Sequence, residues 1–348
     1  MTTATGFNAI VGQQHPIRLL KTFIRNGTLP HALLFTGDDG VGKKMTATAF
    51  AMACNCLTLK SALRHSPHLD VIDACGDCTP CRKIAGNYHP DIIRVAPLSS
   101  VIKIAQIRTL LQILTLKPNE TDRRVVILSE AQTMNSEAGN ALLKALEEPP
   151  DRTLLVLTAR QTSDLLPTVV SRCRHIRFFP LRAEDIKRLL TAAGGIEPES
   201  VETVASLCGG SYTRARTLID SRWLSRRDWI IRAMGSHTAN NGKPEIRTWL
   251  ALSEMLVKKK DLIEESLEII TMWLRDMLVV RCDPQHVLNQ DRLETLSAAA
   301  KHVSQAQLLE QINAVDHALT ALRSNTNVRL TLDAMVLRMA GAYGLGNN

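Results

Sequence analysis

The 348 residues are 45% hydrophobic and 22% charged, with a net charge of +8 at neutral pH. That length accommodates two or three domains and an extensive core, in the composition of an ordinary globular protein. No apolar run approaches a membrane span, and Met1-Thr2-Thr3-Ala4-Thr5 offers no basic signal-peptide start, so a cytoplasmic protein without a membrane partner is expected.

Eight cysteines in that compartment indicate metal ligands or free thiols rather than a disulfide framework. The basic excess is uneven, +7 over residues 1–222 and +1 over residues 223–348. All four tryptophans (Trp223, Trp229, Trp249, Trp273) fall in the second part, which places a domain boundary near residue 222. Charge alone fits a solvated basic surface and polyanion binding equally well.

Along the chain, Ala32–Phe35 is the first short apolar run of strand character, and Gly37-Asp38-Asp39-Gly40-Val41-Gly42-Lys43-Lys44 follows it. In G-x-x-x-x-G-K-[ST] loops, backbone N–H groups and the lysine cradle phosphates while the final hydroxyl holds Mg²⁺. Lys44 stands where that hydroxyl belongs. A helix over Lys43–Ala53 would open at the loop, turning its unpaired N–H groups toward any anion. Gly37, Gly40, Gly42 and Lys43 are therefore candidate phosphate-binding residues, yet Mg²⁺-dependent hydrolysis is not expected. The plain alternative is a glycine-rich turn kept for folding.

Cys75, Cys78 and Cys81 form two overlapping C-x-x-C steps, a spacing that lets thiolates converge on one tetrahedral Zn²⁺. Cys54 and Cys56, at the end of the preceding helix, and His89 are the available fourth ligands. An iron–sulfur run would need a cysteine four residues after Cys81 and then proline, but Ala85 and Gly86 stand there. Four thiolates leave no open coordination position, so the site would be structural. Cys173, Cys208 and Cys282 are isolated and read as small buried hydrophobes.

Further strand candidates are Ile92–Val95, Val125–Leu128, Leu154–Leu157 and His175–Phe179. Helical patterns over Ile104–Leu114 and Ser136–Glu148 separate them, the second stopped by Pro149-Pro150. This alternation predicts an α/β domain with a parallel sheet. Val125–Leu128 runs into Ser129-Glu130, where an ATPase carries Asp-Glu to position Mg²⁺ and activate water. Ser129 thus removes the metal that Lys44 displaces, and Glu130 alone remains. Beyond Pro180, Ala183–Ala193, Glu199–Leu207 and a segment restarted by Gly209-Gly210-Ser211 read as three helices. From Trp223 onward the periodicity is helical throughout, including Ile263–Val280, Gln305–Arg323 and Leu330–Ala342, with Ser236–Glu245 as a loop.

Taken together, the chain resembles the bacterial clamp-loader subunits of DNA polymerase III, within the AAA+ class, over essentially its whole length. The resemblance rests on Phe7 with Ile10-Val11-Gly12-Gln13, His31–Gly37, His89-Pro90-Asp91 and Asn140–Lys144 through Glu147-Glu148-Pro149-Pro150. It continues with Leu165-Leu166-Pro167 through Ser171-Arg172-Cys173, and with Asn325–Leu330 as the collar motif. It implies an AAA+ domain with a parallel sheet over 1–179, carrying a zinc module at about 54–90. A small helical lid over 180–222 and an all-α collar for oligomerisation over 223–348 would follow.

Within that family the ATP-hydrolysing gamma/tau subunits keep Thr after the loop lysine and Asp-Glu after the strand. The resemblance therefore implies a non-hydrolysing, stationary subunit that works with gamma/tau and delta subunits to load a sliding clamp on primer–template DNA. It would be an accessory of the polymerase, a nucleotidyltransferase, rather than an ATPase itself. The resemblance places Arg172 as an arginine finger facing a neighbour's ATP, Thr158 and Arg214 at the two sensor positions, and Cys56 as the fourth zinc ligand. Lys103 and Arg108 would lie on a helix that faces DNA phosphates. The competing reading is an active AAA+ ATPase, gamma/tau-like or related to helicases, and for Arg172 an ordinary surface or interdomain salt bridge.

Overall fold

The computed structural model describes residues 6–66, 71–235, 246–324 and 326–341. The loop expected over Ser236–Glu245, Asn325 of the collar motif and Ala342 lie outside them. Among the described residues, no helix is long and apolar enough to cross a membrane.

Five short segments form one parallel sheet: β1 (Ala32–Thr36), β2 (Ile92–Val95), β3 (Arg124–Leu128), β4 (Thr153–Ala159) and β5 (Arg174–Arg177). Their spatial order is β2-β3-β4-β1-β5, and every neighbouring pair is parallel. Because successive strand side chains point to opposite faces, β1 and β3 feed two separate cores. Leu33, Phe35, Val125 and Ile127 pack with Leu20, Ala47 and Phe50 on one face. Leu34, Val126 and Leu128 pack with Ile107, Leu110, Leu142 and Val169 on the other. Burial on both faces is why these strands read as continuous apolar runs rather than alternating ones.

The chain divides into two compact units, residues 1–192 with 209–214, and residues 193–208 with 215–348. Helices α1 (Gln14–Arg25), α2 (Lys43–Asn55), α3 (Leu57–His65), α4 (Thr79–Ala85), α5 (Ile104–Leu114), α6 (Ser136–Glu147), α7 (Pro167–Val170) and α8 (Ala183–Ala193) precede, join or flank the strands. The later helices are α9 (Pro198–Leu207), α10 (Tyr212–Asp220), α11 (Trp223–Gly235), α12 (Ile246–Val257), α13 (Ile263–Val279), α14 (Leu293–Ala300), α15 (Gln305–Arg323) and α16 (Val328–Met339). Residues 180–222 are shared between the units, α8 and residues 209–214 lying in the first and α9 in the second.

In the second unit, α13 packs on α11 and α15, and α16 packs on α12 and α15. Two buried charges organise it. The fully buried Asp276 carboxylate accepts the N–H groups of Leu288 and Asn289 and the Asn289 side-chain amide at 2.8–3.2 Å. The Arg227 guanidinium, equally inaccessible, donates to both oxygens of Asp291 at 2.8 and 2.6 Å. Buried charges survive only when paired and hydrogen-bonded in this way.

In the first unit, two polar side chains fasten the approach to β3. Arg124, 1% exposed, donates to the carbonyls of Ile113, Leu116 and Lys117, each at 2.8 Å, fastening the end of α5 and the turn after it to β3. Asp91 is fully buried and accepts the N–H groups of Asn119, Glu120 and Thr121 at 2.7–2.9 Å. Burial by itself would raise this carboxyl, but those N–H groups and the Thr121 hydroxyl outweigh it and hold Asp91 below the usual carboxylate range.

A carboxylate depressed in the folded state stabilises the fold above its unfolded pKa and loses that contribution as pH falls through the folded one. Asp91→Asn should therefore cost about 1–3 kcal/mol at pH 7. In urea unfolding repeated at several pH values, the gap to the parent protein should start closing below about pH 4. A gap that is constant or widens on acidification would contradict the assignment.

Candidate nucleotide loop, arginine and thiol cluster

The loop Gly37–Gly42 leaves β1 and enters α2, whose N-cap is Gly42 at φ 101°. Gly37 and Gly40 are also left-handed, at φ 141° and 80°. Space as well as conformation demands glycine at 40: a Cβ there would lie 2.4 Å from Ser211 Oγ, and Gly40 C=O accepts the Tyr212 N–H at 3.1 Å. The start of α10 is thus seated on the loop.

The loop's charges are satisfied from within. Lys43, 8% exposed, donates from Nζ to the carbonyls of Gly37 and Asp38, the latter at 2.8 Å, and lies 3.7 Å from Asp39. Burial pulls the Lys43 ammonium below its usual pKa, against the opposing pull of Asp39 and Asp38. Arg160 pairs with Asp39 at 2.8 Å.

Lys44 Nζ lies 3.1 Å from Glu130 Oε1. Ser129 is buried and its N–H donates to Val95 C=O at 2.8 Å, which places the Glu130 carboxylate just beyond the carboxyl end of β3. Glu130 takes a left-handed φ of 57°, and its N–H donates to Thr158 Oγ at 3.1 Å. The structure therefore brings together the loop, Glu130 and Thr158, all expected at one site. Arg214 is exposed on α10, and its backbone N–H is held by Ser211 Oγ at 3.1 Å. The Lys44–Glu130 pair has a signal in the sequence, since a cation at the hydroxyl position and a surviving acid after β3 come from facing elements.

Arg172 follows the short helix α7, where its guanidinium is partly exposed. Nη2 meets Glu147 Oε1 at 2.7 Å, and Nη1 donates to Thr168 C=O at 3.0 Å and Ser171 Oγ at 3.4 Å. The role of Glu147 was not legible beforehand, because nothing in Glu147-Glu148-Pro149-Pro150 names a partner 25 residues downstream. Lys103 and Arg108 are exposed at the start and middle of α5, where the Lys103 N–H donates to Gln106 Oε1 at 3.0 Å as part of the helix cap.

The thiols of Cys56, Cys75, Cys78 and Cys81 all lie within 4.8 Å of one another. A tetrahedral zinc with bonds of about 2.3 Å requires sulfurs about 3.8 Å apart, so the group fits that ion with a small contraction. Cys56 ends α2 and caps α3, and its sulfur accepts N–H groups from Leu59 and Cys75, each at 3.4 Å. Cys75 sulfur accepts the Cys78 N–H at the same distance. The hydrogen bond with Cys81 favours the Cys56 thiolate and pushes the Cys81 thiol up. Such N–H···S bonds orient ligands from outside the coordination shell. Cys54 lies outside the cluster, buried in the α2 core, where desolvation raises its thiol to about 12. His89 is turned to other work, its Nδ1 accepting the Asp91 N–H at 3.1 Å.

The sheet order, the loop between β1 and α2, and the strand carrying Thr158 set between the loop strand and the Glu130 strand define a P-loop scaffold of the AAA+ class. Two family models for DNA polymerase III match the chain, one for the delta subunit over residues 12–182 and one for the C-terminal part of delta over 228–340. The delta-prime subunit of Bacillus subtilis is 27% identical over 331 residues, covering 94% of this chain and 96% of that protein. Its counterpart in Pseudomonas aeruginosa is 35% identical over 191 residues, 54% of this chain and 55% of that one. The tau subunit of Bacillus subtilis is 25% identical over 358 aligned residues, and the chain spans only 61% of its length. The chain belongs to the delta-prime family of DNA polymerase III subunits.

Purified protein should contain about one zinc per chain. Cys56→Ser or Cys78→Ser should lose most of it and destabilise the fold, whereas Cys54→Ser should retain it. Elemental analysis beside thermal unfolding checks this; a metal-free, fully folded parent protein would refute a structural zinc.

Proposed function

We propose that this chain is the non-hydrolysing delta-prime stator of the DNA polymerase III clamp loader. It would supply Arg172 in trans to the ATP site of a neighbouring gamma/tau subunit, and assemble with delta to load the sliding clamp on primed DNA. The observation that carries this reading is the 3.1 Å ion pair of Lys44 with Glu130. A monocation occupies the place from which a P-loop hydroxyl would ligate Mg²⁺, and it pairs with the acid that would activate water. Ser129 leaves no carboxylate to recover the metal.

An arginine offered to a transferring phosphoryl group needs the reverse conditions, exposure and N–H donors to spare, and Arg172 has both. Five N–H donors are available on a guanidinium, of which the three contacts above use at most three. In this reading Gly37, Gly40, Gly42, Lys43, Glu130, Thr158 and Arg214 are a vestigial nucleotide site. The four cysteines hold a structural zinc that closes the segment after α2. Lys103 and Arg108 contribute sequence-independent phosphate contacts to DNA. The lid and collar divisions at residues 180–222 and 223–348 follow from the same assignment.

The isolated chain should show no Mg²⁺-dependent ATP hydrolysis; robust turnover would sink the proposal. Arg172→Ala should still assemble with gamma/tau and delta. In a complex whose other ATP sites are disabled, it should slow DNA-stimulated hydrolysis at the shared site by about 10³-fold. Unchanged turnover there would remove Arg172 from the mechanism.

A further inference from the structure

We infer that Glu147 is a positioning residue for Arg172, an inference that rests on the trans-arginine reading above. The last residue of α6 is an unfavourable place for an anion, because a helix C-terminus carries partial negative charge and favours cations. Glu147 is followed directly by a second exposed acid, Glu148. The pairing with Arg172 at 2.7 Å offsets that position and defines what the carboxylate faces.

The guanidinium is held from two directions. Thr168 and Ser171 take Nη1 from the α7 side, and Glu147 takes Nη2 from the α6 side. The two elements are set close together by Gly139, where a Cβ would stand 2.9 Å from Leu166 Cδ1 at the start of α7. Asn135 fixes the other end of α6 by accepting the Ala138 N–H at 2.9 Å. The carboxylate therefore comes from a rigid support rather than from a loop.

An arginine side chain left alone samples many rotamers, and a planar fork must present its edge to a phosphoryl group to be useful. With Nη1 anchored by Thr168 and Ser171 and Nη2 by Glu147, the plane of the fork is set while donors remain for an incoming anion. An exposed ion pair of this kind is weak, so a nucleoside triphosphate can share or displace it. Glu147 thus fixes orientation before the neighbour's nucleotide arrives, and it touches neither nucleotide nor metal itself.

The test uses the reconstituted complex with a single active ATP site. Glu147→Ala should lower kcat at that site about tenfold, short of the roughly 10²-fold that a full 1 Å misplacement of a catalytic group can cost. The KM for ATP should stay unchanged, and assembly should remain intact by gel filtration. Glu147→Gln keeps an acceptor oxygen for Nη2 and should recover most of the rate. The double variant with Arg172→Ala should be no slower than Arg172→Ala alone. If Glu147→Ala turns over as fast as the parent or faster while Arg172→Ala is slow, the positioning role is overturned and the trans arginine stands. If Arg172→Ala is as fast as the parent, both fall.

Discussion

The constraint on which the first unit depends is that the central strands of its parallel sheet, β1, β3 and β4, are buried on both faces. Strands so placed must satisfy their backbone groups within the sheet, and polar loops can emerge only at the strand ends. The carboxyl ends of β1, β3 and β4 lie side by side and release, in turn, the loop at Gly37, the pair Ser129-Glu130, and Thr158 with Arg160. The location of the site is thus a by-product of how the core is closed. This is the edge at which open α/β sheets generally bind ligands. A chain can lose the chemistry there and keep the geometry, because the geometry is required by the core.

The loop itself has reached an internal balance. Lys43 is spent on two carbonyls and Asp39, Arg160 on Asp39, and Gly40 on Tyr212. The Lys44–Glu130 pair is exposed and worth only about 0.2–1 kcal/mol, so it explains little about stability. Its effect is electrostatic: it sets a single positive charge beside the Glu130 carboxylate at the carboxyl end of β3.

Much of the fold could be read from residues because apolar runs bounded by turn signals are unambiguous. Helices Ile104–Leu114 and Ala183–Ala193 match the expected bounds, and all five strands fall where expected. The departures are physical. The last strand, expected to reach Phe179, ends at Arg177; the Phe178 N–H still reaches Thr36 C=O at 2.7 Å, but the Phe179 N–H goes to the Gln13 side chain. No periodicity announces a side chain 166 residues away taking over a ladder position. β4 begins and ends in threonine and alanine, and so runs longer than its apolar centre suggested. At the site, Cys54 and Cys56 could not be separated on spacing, since both sit at a helix end. Only the turn of the chain into extended backbone at Cys56 brings its sulfur to the other three thiols, while Cys54 stays on the helix. The partner of Arg172 depended on how closely α6 approaches α7, a tertiary distance that a glycine at 139 permits but does not announce.

Cys56 ends the loop helix α2, starts α3, and contributes to the thiol cluster. A zinc held by the four thiols would close the stretch between Cys56 and Cys75 into a ring at the point where α2 terminates. The entropy of closing such a ring grows only slowly with its length. Within that ring Leu59, Ile72 and Ala74 are buried in the core that also holds α2, whereas Leu57, Ser61 and Arg64 are exposed, so the exposed positions are the ones free to change while α2 keeps its footing. A change at Cys56 would therefore be felt at the end of α2 and at the start of α3 together.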